Sequence, residues 1–223
     1  MHTSPHPAPK VIAIDGPAGA GKGTLARRLA DHFGFAHLDT GLLYRAVGVK
    51  LLQAGEEPTD VKAASIASRS LTAAELSGEA LRTDAAAVAA SKVAAIPAVR
   101  EALLTFQRDF ASRPPGDAVG AVLDGRDIGT VVCPDAPIKL FVTAEIEIRA
   151  KRRVKELRER GLKAIEKQVL SDMQSRDKRD SQRLSAPMEP ASDAFVIDTG
   201  GLDPESVFAL AIAYIAGTGR FEG

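Results

Sequence analysis

The chain alternates short, wholly apolar runs with longer segments whose apolar residues recur every three or four positions. Lys10 to Asp15 reads KVIAID and stops at Gly16. It is too short for a helix, and its unbroken apolar character predicts a buried parallel strand. A glycine-rich turn follows, then a helical pattern from Lys22 to about Phe33 with Leu25, Leu29 and His32 on one face. His37 to Thr40 is a short link with room for a strand. Gly41 to Ala54 predicts a helix, stopped by Gly55 and Pro58. Thr59 to Ala90 is rich in Ala and Ser and weakly periodic, which reads as a small helical insertion. Ser91 to Ala111 predicts a more regular helix that Pro97 must kink or begin anew. Gly120 to Asp124 (GAVLD) and Ile138 to Val142 (IKLFV) predict two more buried strands. A charged helix from Glu145 to Arg160 ends at Gly161, and another covers about Ile165 to Arg179. Ala194 to Asp198 predicts a fourth strand and Asp203 to Ala216 a closing helix.

Strands alternating with helices imply an α/β fold, a mainly parallel sheet flanked by helices. Such sheets bind ligands beyond the C-terminal ends of their strands, where Asp15, Asp124 and Asp198 stand. The 223 residues suit one domain. Lys plus Arg equals Asp plus Glu at 29 each, so net charge argues for no nucleic-acid or membrane partner. No basic stripe is interleaved with aromatics, and no window approaches the roughly 20 apolar residues of a membrane span. The lone cysteine, Cys133, excludes a disulfide framework within the chain, reads as a small structural thiol, and fits a reducing compartment. Residues 1–10 are rich in Pro and His and lack the apolar stretch of a leader, so the cytoplasm is the expected location. His2, His6, His32 and His37 are scattered and suggest no metal site.

Chemistry enters at Gly16-Pro17-Ala18-Gly19-Ala20-Gly21-Lys22-Gly23-Thr24. This segment follows a strand and opens a helix, the setting of a phosphate-binding P-loop. Glycines let backbone N–H groups turn toward phosphate oxygens, and the helix N-terminus adds its positive dipole end. Lys22 supplies a mobile ammonium. The hydroxyl usually found directly after the lysine is displaced by Gly23 to Thr24, which favours a Mg²⁺ held by phosphates and water. A guanine-reading Asn-Lys-x-Asp segment is absent, and Asp124 is followed by Gly125 and Arg126 rather than by a second acid. A GTPase and a motor ATPase are thereby disfavoured.

Four further segments resemble bacterial cytidylate kinases: Asp39-Thr-Gly-Leu-Leu-Tyr44-Arg45, Ser91 to Glu101, Leu123-Asp-Gly-Arg126-Asp127-Ile-Gly-Thr130, and Arg176-Asp-Lys-Arg179-Asp180-Ser-Gln-Arg183 with Ala186-Pro187. The likeness runs from Val11 to about Ile215. It implies a P-loop kinase acting with ATP and Mg²⁺ on CMP or dCMP. It further implies a core of 10–58, 91–150 and 163–223, an acceptor-binding insertion at 59–90, and a lid at 151–162. The insertion is shorter than in better-known members, so the small sheet usual there is expected to be reduced or lost. Thr40 stands where Ser is common and keeps the hydroxyl.

By resemblance Arg45, Arg126 and Arg183 bind the acceptor phosphate, and Arg176 and Asp180 lie near its ribose and phosphate. Ser91, Arg100 and Asp127 read cytosine, with Tyr44 near the sugar. Arg153 and Arg158 are lid contacts to ATP. Lys22, Arg126, Arg176 and Arg183 form the catalytic set. Asp124 is expected to orient metal-bound water or a P-loop group, with Asp15 in a similar structural part. Arg176, Asp180 and Arg183 fall at i, i+4 and i+7, the spacing of one helical face. The rivals are a P-loop kinase for UMP or AMP and a non-catalytic nucleotide-binding module. AMP kinases usually read Asp-Gly-Phe-Pro-Arg where this chain reads Asp-Gly-Arg-Asp. A monomer is the expected state.

Overall fold

The computed structural model describes residues 10–183 and 185–221. The reading of residues 1–9, with His2 and His6, lies outside them. The described chain forms five strands and eight helices of two turns or more: β1 (Lys10–Asp15), α1 (Lys22–Phe33), β2 (Ala36–Asp39), α2 (Thr40–Gln53), α3 (Val61–Arg69), α4 (Asp84–Val93), α5 (Pro97–Ser112), β3 (Gly120–Asp124), β4 (Ile138–Thr143), α6 (Ile146–Glu159), α7 (Glu166–Ser181), β5 (Phe195–Asp198) and α8 (Pro204–Gly217). Single helical turns at Ala73–Leu76 and Glu79–Arg82 link α3 to α4, and a wide turn at Ile128–Val132 follows β3.

The sheet is wholly parallel in the order β2-β3-β1-β4-β5. Continuous apolar character buries β1 and β3 on both faces, as central parallel strands require. Ile12 and Ile14 of β1 pack toward α1 and α8, with Leu29, Leu140 and Ile215. Val11 and Ala13 pack on the other face, with Leu123, Ile128 and Ala111 of α5. A third cluster joins α2, α3, α4 and α5 through Leu43, Val47, Ala64, Val93, Val99 and Leu103. Each fully buried Leu or Ile contributes about 1.5–3 kcal/mol.

Two open readings resolve and one expectation, at His32, is corrected. The fifth strand, β2, stands where only a link with room for a strand was read; it is a half-buried edge of four residues. Pro97 begins a new helix rather than kinking one: Ile96 is extended, and the fixed φ of proline suits the first helical position. His32 is exposed on α1, where Leu25, Ala26, Leu29 and Ala30 make the buried face. Segment 59–90 is helical as read, with no strand among its described residues.

Helices α2 and α4 approach closely because Gly48 faces Ala89. A Cβ at Gly48 would stand 2.7 Å from the Ala89 Cβ and 3.1 Å from the backbone of Ala89 and Ala90. Gly48→Ala is therefore expected to destabilise the fold by about 1–3 kcal/mol through overpacking. Urea unfolding measures it, and an unchanged midpoint would contradict the contact.

Candidate active site

The C-terminal ends of β1, β3 and β2 open onto a cleft of about 360 Å³. The phosphate loop forms one wall. Gly21 adopts φ 94°, a left-handed geometry that suits glycine, and no side chain caps α1, which starts at Lys22. The first-turn amides and the helix dipole thus face the loop's interior. Lys22 is 7% exposed, and its Nζ donates to the Pro17 carbonyl at 2.9 Å. Burial, then the charge of Arg126, pushes its ammonium down to about 7.

Two arginines of α6 brace this loop. Arg149 donates to the carbonyls of Ala18 (3.1 Å) and Ala144 (2.7 Å) and pairs with Asp177 of α7 at 2.7 Å. Arg152 donates to Thr199 Oγ1 at 2.8 Å, and that hydroxyl donates in turn to the Ala20 carbonyl at 3.0 Å. Gly16, Pro17, Ala20, Gly21 and Thr24 shape the loop; Ala18, Gly19, Lys22 and Gly23 border the cleft.

Parallel register sets the carboxylates. Asp39 lies opposite Asp124 across β2 and β3. Burial, then the neighbouring Asp124 charge, pushes the Asp39 carboxyl up. Asp124 also stands 3.6 Å from His37 Nε2. The Thr40 hydroxyl donates to the Asp124 carbonyl at 2.8 Å, so it ties α2 to β3. Asp15 turns its carboxylate to the wide turn and accepts from the amides of Ile128 and Gly129, each at 2.7 Å.

Opposite the loop, Asp180 on α7 is 3% exposed and collects three partners. Arg126 Nε donates to it at 3.1 Å, Arg176 Nε stands at 3.8 Å, and Ser91 Oγ donates at 3.4 Å. Arg179 Nε donates to the Ser91 oxygen at 3.1 Å. Arg176 is held down to about 9, by burial and then by Arg126, and still carries its charge at neutral pH. Its Nε is buried without a hydrogen-bond partner, as is that of Arg183. Asp127 pairs with Arg100 and lies 3.9 Å from Arg183, while Arg100 sits over the Tyr44 ring at 5.8 Å. Arg45 donates to the Leu81 carbonyl at 2.9 Å.

All ten acceptor-side residues named from the sequence border this cleft, as do Lys22 and Arg153. Arg183 is a correction of mechanism. It lies beyond the end of α7, so it does not share the helical face of Arg176 and Asp180. It enters from the following loop, donating to the Ala186 carbonyl at 2.6 Å. Ala186 holds φ 53°, a sparsely populated backbone state for alanine. Arg158 does not reach the cleft; it is exposed at the end of α6, on the Ala164 carbonyl. Arg153 pairs with Asp84 at 2.5 Å and Glu156 at 2.8 Å. Sequence reasoning missed Asp39, Asp84 and Arg179 at the cleft and the bracing Arg149. The cleft-ward Asp39 and Arg179 lie inside matched motifs, whereas Asp84 and Arg149 carry no local signal. Cys133 is half-buried, and burial pushes its thiol up to about 11, in keeping with an inert thiol.

Eight cations and seven carboxylates thus line one concave surface beside an anion-binding helix start. The arrangement can hold two phosphate-bearing molecules end to end. None of the helices among the described residues is long and apolar enough to cross a membrane.

Residues 12–217 match a family model described as Cytidylate kinase. A cytidylate kinase of Paramagnetospirillum magneticum is 62% identical over 205 residues, covering 92% of this chain and 97% of its own. One of Rhodospirillum rubrum is 57% identical over 206 residues, covering 92% and 97%. Among solved structures, a gluconokinase from Sinorhizobium meliloti superposes with a TM-score of 0.51 at 14% identity, over 95% of this chain and 94% of its own, a likeness of fold alone.

Proposed function

Because the chain belongs to the cytidylate kinase family, and so is a nucleoside monophosphate kinase, we propose that this cleft is where the γ-phosphoryl group of ATP passes to CMP or dCMP. The products are ADP and CDP or dCDP. The observation that carries the reading is the convergence of Lys22, Arg45, Arg126, Arg176 and Arg183 between the phosphate loop and α7. Two polyanions repel each other, and only a dense cationic surface that excludes water brings them into contact.

ATP lies with its β- and γ-phosphates on residues 16–24 and Lys22. The acceptor phosphate lies among Arg45, Arg126, Arg176 and Arg183, whose planar forks match phosphate oxygens. The unpartnered Nε groups of Arg176 and Arg183 supply donors already stripped of water. An acceptor phosphate oxygen forms the new bond to the γ-phosphorus as the bond to the β–γ bridging oxygen breaks. ADP leaves with that electron pair. No general base is needed, since the attacking oxygen is already anionic, and alignment with charge neutralisation suffices.

Mg²⁺ fits this site. Asp39 and Asp124 stand side by side with one carboxyl pushed up by burial and its neighbour's charge, a setting that gains from a further cation. Bound on the phosphates, the ion would neutralise their charge, with Asp124 placed to orient water on it. For cytosine, Asp127 has lone pairs left beyond Arg100 and Arg183 to accept from the N4 amine; uracil offers an acceptor there and is repelled. Ser91 and Arg100 serve N3 and O2, Tyr44 lies near the sugar, and Asp180 with Arg176 lies near the ribose. Residues 151–162, with Arg153 and Arg158, act as a lid that closes over ATP, and 59–90 encloses the acceptor. A monomer remains the expected state, and the lone Cys133 suits the reducing cytoplasm.

Two experiments test the reading. Steady-state ADP formation with Mg·ATP and a panel of CMP, dCMP, UMP, AMP and GMP is expected to show strong stimulation by CMP or dCMP. Preference for AMP or UMP would overturn the base assignments and keep the fold. Asp127→Ala is expected to raise KM for CMP about 10- to 100-fold, in line with a lost charge-assisted hydrogen bond, and to leave KM for ATP within about threefold. Equal losses for both substrates would remove Asp127 from the base site.

A further inference from the structure

Asp15 ends β1, one residue before the phosphate loop, and is 4% exposed. Both of its oxygens are taken up by backbone amides. Each accepts a backbone N–H at 2.7 Å, Oδ1 from Ile128 and Oδ2 from Gly129. These consecutive amides open the wide turn Ile128–Val132, whose own bonds run from Val131 and Val132 back to the Asp127 carbonyl and from Cys133 to Ile128. The turn therefore begins directly after Arg126 and Asp127, and a single carboxylate holds its first two residues. The fit is close on the far side too: a Cβ at Gly129 would stand 3.2 Å from the Lys139 stem and 3.5 Å from Asp15 Oδ2.

We propose that Asp15 is a positioning residue for acceptor recognition: by clamping the amides of Ile128 and Gly129 it fixes Arg126 and Asp127 at the end of β3 and ties their placement to the strand that feeds the phosphate loop. This rests on the reading of Arg126 as a phosphate contact and Asp127 as a base contact. A carboxylate is suited to the task because it alone offers two acceptors to two parallel donors. An amide at the same place would set N–H₂ against one N–H and push the turn away.

The groups around Asp15 determine how it titrates. Lys22 at the head of α1 favours its charge and Asp127 opposes it; the two turn amides favour it strongly. The Lys139 ammonium of β4 is committed to Asp193 at 2.9 Å. Burial outweighs these and pushes the Asp15 carboxyl up to about 6. The protonated form gives up one acceptor, so the clamp holds above that pH and loosens below it.

The test uses Asp15→Asn with Asp127→Asn as reference, and NMR on the unmodified protein. Asp15→Asn is expected to raise KM for CMP about tenfold and leave KM for ATP within about twofold, with a narrower preference for CMP over UMP. A residue that merely stabilises the fold would move both KM values together, so equal increases, or none, overturn the proposal. In the unmodified protein the amide protons of Ile128 and Gly129 are expected to titrate together with a midpoint near 6. Ile128 and Gly129 amides without hydrogen-bond protection in hydrogen exchange at pH 7 overturn the clamp even where Asp15→Asn fails to fold. The acceptor phosphate also titrates near pH 6, at about its second pKa, and comparing the KM profiles of the two proteins removes that contribution. Should Asp127→Asn leave KM for CMP unchanged, the base-site reading falls, while the amide protection still decides the clamp.

Discussion

Lys22→Ala is expected to lower kcat by about 10²- to 10³-fold, at nearly unchanged thermal stability. The ammonium meets charge that develops on the transferring group, and preorganised donors in a dry site are worth about 10²–10³ each in rate. Stability is expected to hold because burial works against this cation. Its pKa of about 7 lies below the ordinary 10.5, so the folded protein binds fewer protons than the unfolded one between those values. The resulting penalty is full below pH 7 and fades as pH rises toward 10.5, which makes the variant no less stable at neutral pH. The same shift has a signature in binding. ATP phosphates restore the charged form, so at pH 8 calorimetry in buffers of different ionisation enthalpy is expected to show uptake approaching one proton. Lys22→Ala is expected to abolish that uptake. A folded variant with near-normal kcat would remove Lys22 from the transfer step.

Asp180→Ala is the second change with a large expected effect. This carboxylate is 3% exposed and sits between Arg126, Arg176 and Ser91. Removing it leaves buried guanidinium groups facing each other without a counter-charge, which costs about 3–5 kcal/mol. The acceptor site falls with it, since Arg126 loses the bond that aims it. Urea unfolding and kcat/KM for CMP measure the two losses. The acceptor phosphate can stand in for the missing charge, so CMP is expected to raise the melting temperature of Asp180→Ala more than that of the unmodified protein. A variant with ordinary stability and ordinary KM would show that Asp180 is no hub.

What could be read along the chain was whatever a local pattern encodes. KVIAID and GAVLD carry continuous apolar runs, and β1 and β3 form over those residues. The chain from Gly16 to Thr24 announces a phosphate loop because its glycines and lysine act within nine residues. Strand β2 was only half legible, since AHLD is short, half-buried and depends on β3 for its pairing. The strand order was not legible, because β1 finds its neighbours more than a hundred residues away. The aspartate at 15 and the arginine at 149 show the same limit in the site. Asp15 could be marked as a strand-end acid with a structural part, but the partners of both, the amides of Ile128 and Gly129 and the carbonyl of Ala18, are brought near only by the tertiary fold. Arg183 was found through its motif but placed on the wrong element, because helix α7 ends at Ser181.

The parallel order of the sheet also bears on how the chain is made. Among the described residues strand β1 hydrogen-bonds to β3 and β4, whose pairing residues begin at Gly120 and Ile138. At synthesis rates of about 5–20 residues per second, the KVIAID segment waits several seconds or longer for a partner. During that wait it is an unpaired apolar strand, the kind of segment that invites chaperone binding or association with other nascent chains. The phosphate loop, although written in the first 24 residues, has no shape until more than half of the protein has emerged.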